Sequence, residues 1–183
     1  MGILRVIMKN IIVALSASII LFSCDSEPKI SSFKIKNPYQ KQNIQENVSI
    51  SIFSGDGGGI EQNVNRWRRQ LNLTPEKIEN LNPKIINNPF LGDIYIFHEM
   101  NSIDYKSIIG AIIPQKEQTI FIKINTSESM TNERKYELEL FCLSLSFDEN
   151  QNLLWNKPKN WIQKKPSSNL NIAYFEINNS DEN

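Results

Sequence analysis

Residues 48–73 read VSISIFSGDGGGIEQNVNRWRRQLNL, and this stretch decides the fold. Serines alternate with β-branched residues from Val48, which predicts a strand with Val48, Ile50 and Ile52 on one face. Four glycines in residues 55–59 then allow positive φ angles and interrupt the strand. Helical spacing follows, with apolar residues at Ile60, Val64, Trp67 and Leu71. The sequence therefore predicts a strand, a glycine loop and a helix in succession.

A glycine loop before a helix is also the arrangement of many phosphate sites, because a helix N-terminus presents free N–H groups. A P-loop requires Lys and Ser or Thr after its last glycine, but Ile60 and Glu61 follow Gly59 here. The spacing of a dinucleotide-binding loop fails as well, since its third glycine would fall on Ile60. We therefore expect this loop to be a structural turn rather than a nucleotide site.

The polar residues of the predicted helix invite a functional hypothesis, because asparagine is a mediocre helix former. Trp67 lies on the apolar stripe and is expected in the core. The polar side chains around it either form a solvated face or hydrogen-bond to the glycine loop or to a partner. The candidate binding residues of the loop and helix are Asp56, Gly57, Gly58, Asn63, Asn65 and Arg66.

Residues 1–23 have the pattern of a bacterial lipoprotein signal peptide. Arg5 and Lys9 precede an apolar run from Ile11 to Phe22, which is short for a membrane span. The segment ends in Leu-Phe-Ser-Cys, which resembles a lipobox and implies acylation of Cys24. Several acyl chains would anchor the protein stably to a membrane, through a tether at residues 24–28. The alternative is an ordinary secretory peptide or an uncleaved anchor in which the cysteine is incidental.

Composition limits the remaining classes of function. The chain has 20 basic and 20 acidic residues, so removal of Arg5 and Lys9 leaves 18 against 20, a formal charge of about −2. No basic surplus remains for nucleic acid. Cys142 is then the one cysteine that is not lipidated, and its apolar neighbours indicate a small buried residue. His98 is the single histidine, and we expect it at the end of a strand in a surface or turn position.

The sequence shows no catalytic pairing and no metal-ligand spacing, so we expect neither an enzyme nor a metal or other cofactor. Carboxylates such as Asp56 and Glu61 are the remaining acid–base candidates, and nothing in the sequence pairs them.

The rest of the first domain, residues 29–147, shows an α+β pattern. The predicted elements, in order, are a strand at 29–35, a polar connection at 36–47, a short second helix from Thr74 to about Asn82, a turn at 87–89, a strand at 92–98, a hairpin of 108–114 and 118–125, and a helix at 131–145. In the hairpin, Ile120, Ile122 and Ile124 alternate with Phe121 and Lys123, which predicts a sheet covered on one side there. The last helix is expected to bury Tyr136, Leu140 and Leu143, with Ser129 or Thr131 as its N-cap.

This order of motifs resembles a group of exported bacterial proteins of uncharacterised function with a PsbP-like α/β/α sandwich. The motifs are the GDGGG turn, NVNRWRRQL at 63–71, GAIIP at 110–114, FIKI at 121–124 and FCLSLSF at 141–147. The resemblance implies an antiparallel sheet with helices packed on it. It implies no reaction, because such domains are mostly binding or assembly modules.

The tail, residues 148–177, resembles the start of a second copy of this domain. Its segment 170–177, LNIAYFEI, parallels SSFKI at 31–35. The tail is therefore a truncated second domain, a strand that completes the first domain in the same chain, or a strand that pairs with another chain. Trp155 and Trp161 favour an ordered tail because their burial is favourable. Residues 178–183 are expected to be disordered.

Together these features predict a lipid-anchored, non-enzymatic protein of the cell envelope, facing the periplasm or the exterior. Its partners would be the membrane, through Cys24, and an envelope protein. The alternative function is binding of a small ligand or anion at the glycine loop and the following helix N-terminus.

Overall fold

The computed structural model describes residues 44–166 and 168–178 of the 183-residue chain. The signal peptide, Cys24, the tether, the strand predicted at 29–35 and residues 179–183 lie outside these ranges. The helices and strands are β1 (Asn47–Ser54), α1 (Ile60–Gln70), β2 (Lys84–Asn88), β3 (Gly92–Asn101), β4 (Lys106–Pro114), β5 (Gln118–Ser127), α2 (Thr131–Leu143), β6 (Ser146–Phe147), β7 (Leu153–Leu154), β8 (Trp161–Lys164) and β9 (Asn171–Ile177). The predicted α+β class is confirmed.

The main sheet has seven strands in the order β2-β3-β4-β5-β1-β9-β8, and every neighbouring pair is antiparallel. Strands β2 to β5 follow one another as a meander, which includes the predicted hairpin of β4 and β5. β1 lies between β5 and β9, so it bonds to strands that come long after it in the chain. The strand that opens the stretch 48–73 is therefore an interior strand of the sheet.

The first face of the sheet is covered in part by α1, which lies over β3 and β4. Val64, Trp67 and Leu71 are buried on the sheet side of α1, which confirms the predicted stripe. Trp67 packs against Gly110 of β4 so closely that a Cβ at position 110 would lie 2.2 Å from the indole ring. The absence of a side chain at Gly110 therefore sets how near α1 can lie to the sheet.

The second face is covered by α2, together with the tail side chains Trp155 and Trp161. Here the predicted helix face is wrong: Tyr136, Leu140 and Leu143 are exposed, Tyr136 to 64%. The buried face instead carries Arg134, Leu138, Phe141 and Cys142, among others. A charged residue on the sheet side conceals this face from a hydrophobic pattern, because charges are rarely buried unless they are paired.

Helices on both faces also correct the expectation of a sheet covered on one side at the hairpin. Ile112 and Phe121 pack on the α1 side, whereas Ile113 and Ile122 belong to the core under α2. All residues of β4 between its two ends are buried. The prediction was wrong because Lys123 is polar. It lies at the margin of α1, where solvent still reaches the sheet.

Three local predictions are also wrong. The second helix is only a 3₁₀ turn at Ile78–Asn80, because the Asn65 side chain bonds both the N–H and the carbonyl of Glu76. The N-cap position of α2 is Met130, and the Thr131 hydroxyl donates to the carbonyl of Ser127 instead of capping. His98 lies within β3 rather than at its end, because that strand continues to Asn101.

The tail belongs to the same sheet, which is the second of the three alternatives. β9 pairs with β1 in the register Val48 opposite Phe175, and β8 pairs with β9. Trp161 is completely buried, and its ring centroid lies 5.0 Å from that of Phe141 on α2. The domain therefore extends beyond residue 147, to Ile177.

A buried ion pair fixes this arrangement. The Arg134 guanidinium donates to Oε2 of Glu46 from Nε at 3.1 Å and from Nη2 at 2.8 Å. Its Nη1 lies 3.0 Å from Glu137, whose carboxylate also accepts a hydrogen bond from the Trp161 indole. The start of β1, the helix α2 and the tail therefore meet at one cation.

The contact between Trp67 and Gly110 yields a first prediction. Gly110→Ala should lower the free energy of unfolding by about 1–3 kcal/mol, because the new methyl group overlaps the indole ring. In a Trp67→Leu background the same substitution should cost much less, since the overlapping atoms are gone. Chemical denaturation of the four variants of this cycle measures the coupling. Additive effects would contradict the packing described.

Candidate functional site

The glycine loop is a turn that requires glycine. Gly55, Gly57, Gly58 and Gly59 all have positive φ, from +61° to +93°. A Cβ at Gly57 would also lie 2.6 Å from the Phe121 ring. Close approach and positive φ thus act together at this position, because an L-residue is strained there by its backbone as well.

The loop is closed by its own polar groups. Oδ1 of Asp56 accepts a hydrogen bond from the Gly58 N–H at 2.9 Å. The Gly55 N–H donates to the carbonyl of Glu117, and the Thr119 hydroxyl donates to the carbonyl of Gly55. The loop is therefore tied to the turn between β4 and β5.

Asn63 is a structural residue of this loop. It is 3% exposed, and its amide nitrogen donates to the carbonyls of Gly57 at 3.0 Å and Gly59 at 2.8 Å. Both N–H groups of the side chain are thereby used. Of the roles predicted for this asparagine, hydrogen bonding to the glycine loop is the one that the structure shows.

Asn65 and Arg68 hold the segment that follows α1. The Asn65 amide bonds the backbone of Glu76, as described above, and Nε of Arg68 donates to the carbonyl of Thr74 at 2.8 Å. Nη1 of Arg68 lies 2.5 Å from Glu99 on β3. Burial raises the pKa of Glu99, and the adjacent guanidinium opposes this shift. These side chains fix the path of the main chain at residues 74–76 and the position of α1 against β3.

Arg66 differs from these neighbours. It is exposed, and within residues 44–166 and 168–178 it has no hydrogen bond or ion pair. Gln70 lies one helical turn later on the same flank of α1, and it accepts a hydrogen bond from Lys123 of β5 at 2.9 Å. Arg66 therefore lies on the flank of α1 that is nearer to β5.

This side of the sheet is a surface that the sequence alone did not reveal. No helix in the described part of the chain lies over β1, β9 and β8 on the α1 side of the sheet. Four residues stand opposite one another across adjacent strands there, namely Lys123, Ser49, Tyr174 and Lys164. We call the α1-side face of β1, β9 and β8, together with Lys123 and Asn125 of β5 and with Arg66, the open face. Pairing of strands this distant in sequence leaves no local signal.

The open face contains a lysine with an unusual environment. Burial lowers the pKa of Lys123, and Gln70 is its one hydrogen-bond acceptor among the described residues. Lys164 lies 3.5 Å from Glu176 at the outer side of the same face. The Tyr174 hydroxyl has its pKa raised by partial burial and by the nearby Glu176. The charge of Lys123 is thus partly desolvated and has no carboxylate partner there.

A cavity of about 370 Å³ lies between the glycine loop and the turn that joins β4 to β5. It is lined by residues of the loop, including Asp56, by Ile60 and Ile112, and by Gln115 and Lys116 of the turn between β4 and β5. This is the place that the ligand hypothesis for the loop requires. The amides of Asn63 and Asn65 cannot serve it as free donors, because they are bonded within the chain.

Two further asparagines that the sequence analysis missed close the helix C-termini. The buried Asn88 amide donates to the carbonyls of Cys142 and Leu145, and its Oδ1 accepts from the Phe90 and Leu91 N–H groups. Asn101 likewise donates to the carbonyl of Leu71 at the end of α1. Unpaired carbonyls at helix ends are satisfied in this way. The Asn-Asn-Pro turn was the available signal for Asn88.

The remaining reactive residue types have structural surroundings. Cys142 is fully buried, and burial raises the pKa of its thiol well above the usual range, which confirms its prediction as a small core residue. His98 is half-buried, with Nε2 2.9 Å from the Ser107 hydroxyl, and burial lowers its pKa. Among the described residues no group of three or more His, Cys, Asp or Glu side chains has the geometry of a metal site.

Comparison with known proteins gives no match: no family, no curated protein and no solved structure is similar to this chain. Within the described ranges, neither helix combines the length and the hydropathy needed to cross a bilayer.

Asn63 and Arg66 allow a matched test of the roles given above. Asn63→Ala should lower the free energy of unfolding by about 1–3 kcal/mol, because two loop carbonyls lose their donor. It should also accelerate amide exchange in residues 55–59. Arg66→Ala, three residues later on the same helix, should leave both unchanged because Arg66 is exposed. Equal effects of the two substitutions on stability and loop exchange would contradict this division.

Proposed function

We propose that the chain is a non-enzymatic binding or assembly module of the bacterial cell envelope, held on a membrane by acyl chains on Cys24. The observation that carries the proposal is the asymmetry of the sheet: its β3–β4 half has a helix on each face, whereas the open face is left to solvent by the described residues. Binding proteins commonly present a surface of this kind on a rigid scaffold.

The lipobox supports the membrane anchor, and the order of the sequence motifs supports the PsbP-like sandwich. An antiparallel sheet with a helix on each face is compatible with that finer assignment. The polar residues of the NVNRWR motif hold loops in place, apart from Arg66. In this proposal the motif builds a firm support for one edge of the open face, and a component of the envelope binds there.

The mechanism is recognition without chemistry on the ligand. The buried Arg134 network and the aromatic cluster around Trp161 hold β9 beside β1, so the residues of the open face keep fixed spacings. Preorganised groups lose little entropy on binding. The lipid anchor would confine this surface to the neighbourhood of the membrane, which raises its effective concentration near other membrane-bound components.

The anchor is tested by intact-mass spectrometry of the protein extracted from bacterial membranes. The wild-type chain should begin at Cys24 and carry the mass of a diacylglyceryl group and an amide-linked acyl chain. Cys24→Ala should lack both acylation and this cleavage. Cys142→Ala is the matched control and should be processed normally, because Cys142 is buried in the core. An unmodified Cys24 in the mature protein would refute the lipoprotein proposal.

A further inference from the structure

On the open face, β1 carries the small side chains Ser49 and Ser51, and we call this row with its flanking side chains the trough. Val48 and Ile50 point into the core under α2, so Ser49 and Ser51 point to the opposite side. The strands beside β1 carry longer side chains at the paired positions, with Lys123 on one side of Ser49 and Tyr174 on the other. At Ser49 the side chain is therefore shorter than its neighbours on both sides, whereas Ser51 is joined to Asn171 of β9 by a hydrogen bond.

The charge of this trough is positive. Lys123 and Arg66 have no carboxylate partner among the described residues, and Lys164 stands at the outer side of Tyr174. Glu176 is the one acidic side chain of strands β5, β1, β9 and β8 on this face, and it already contacts Lys164 and Gln45. An anionic ligand would therefore supply the charge that Lys123 and Arg66 lack. Charge-assisted hydrogen bonds to a carboxylate or a phosphate are roughly twice as strong as those between neutral groups.

The remaining groups of the trough are hydroxyls, amides and one phenol. Ser49 and Tyr174 lie opposite each other, whereas the Ser51 hydroxyl already donates to Asn171 at 2.8 Å and the Asn125 amide to Asn47 at 2.7 Å. The face also has two exposed isoleucines, Ile162 on β8 and Ile172 on β9. Hydroxyl and amide groups beside an aromatic ring match the hydroxyls and the apolar ring faces of sugars.

We propose that the open face binds an acidic polysaccharide whose sugar rings bear carboxylates, with Arg66 and Lys123 pairing with the carboxylates and Tyr174 packing on a sugar ring. This inference deepens the proposed binding function and rests on it. It names the ligand class by the chemistry of the surface, and it places the ligand on the sheet rather than at the glycine loop.

The test measures, by titration calorimetry, the binding of defined oligomers to the full-length protein purified in detergent. The probes are oligogalacturonate, which carries a carboxylate on each ring, a neutral glucose oligomer of equal length, and an oligoglutamate peptide of similar charge. Oligogalacturonate should bind most tightly and weaken as salt is added, because the ion pairs are partly exposed. Arg66→Gln and Lys123→Gln should each weaken it by about tenfold or more.

Two control variants locate the site. Arg69→Gln removes the same charge from the outer side of α1, because residue 69 lies about 200° around the helix from Trp67. Lys116→Gln removes a charge beside the glycine-loop cavity. Neither control should change the affinity, and Tyr174→Ala should reduce it.

Three results would overturn the proposal. These are failure of oligogalacturonate to bind, equal binding of oligoglutamate, and loss of binding in Arg69→Gln or Lys116→Gln to the same extent as in Arg66→Gln. Each leaves the acylation of Cys24 unaffected, so failure of the ligand assignment is distinguishable from failure of the envelope proposal. Arg66→Gln keeps the test valid if Lys123→Gln disturbs the fold, because Arg66 is exposed.

Discussion

The buried guanidinium of Arg134 is the interaction on which the rest of the fold depends. It is 1% exposed and bonds Glu46, which lies immediately before β1, and Glu137, which in turn holds the indole of Trp161. Removal of one partner of such a buried pair typically costs about 3–5 kcal/mol, because the other charge stays desolvated. The hydroxyl of Thr126 completes the network by donating to Glu46. This charge cluster explains which face α2 turns to the sheet and why the tail lies where it does.

The position of the tail then determines the surface that we assign to binding. β9 adds to the free side of β1, and the tail tryptophans fill the space beside α2. No comparable segment of the described chain covers the opposite face, where α1 stops over β3 and β4. Completion of the sheet thus extends its core on one side and leaves the open face on the other. Arg66 and Lys123 stand at the boundary of the covered and uncovered halves.

The sequence predicted the elements whose signals are local. The alternation in β1, the glycines of the loop and the apolar stripe of α1 are each visible within a few consecutive residues, and each is observed. A helix was also predicted at 131–145, and α2 is observed at Thr131–Leu143, but its buried face was not predicted. A pattern that treats arginine as exposed must fail where Glu46 neutralises Arg134 across 88 positions of the chain. The 3₁₀ turn at Ile78–Asn80 has the same kind of cause, since a distant side chain, that of Asn65, overrides a proline and capping signal.

The residues of the candidate site also fall into those with a local sequence signal and those that only strand pairing brings together. Asp56, Gly57, Gly58, Asn63 and Asn65 were identified from local composition, and their contacts serve the loops. Lys123, Ser49 and Tyr174 come together only through strand pairing, so their proximity depends on a register that the sequence does not display. Arg66 is the one candidate that both approaches share.

Native-state hydrogen exchange measures most directly whether the tail is an integral part of the sheet. If Arg134 and Trp161 fix it as described, the amides of Tyr174 and Phe175 should exchange only through global unfolding, with the same free energy as those of Ile122 and Ile124 in β5. Exchange of the β9 amides through a local opening several kcal/mol less costly, with β5 still protected, would contradict the central role of this network.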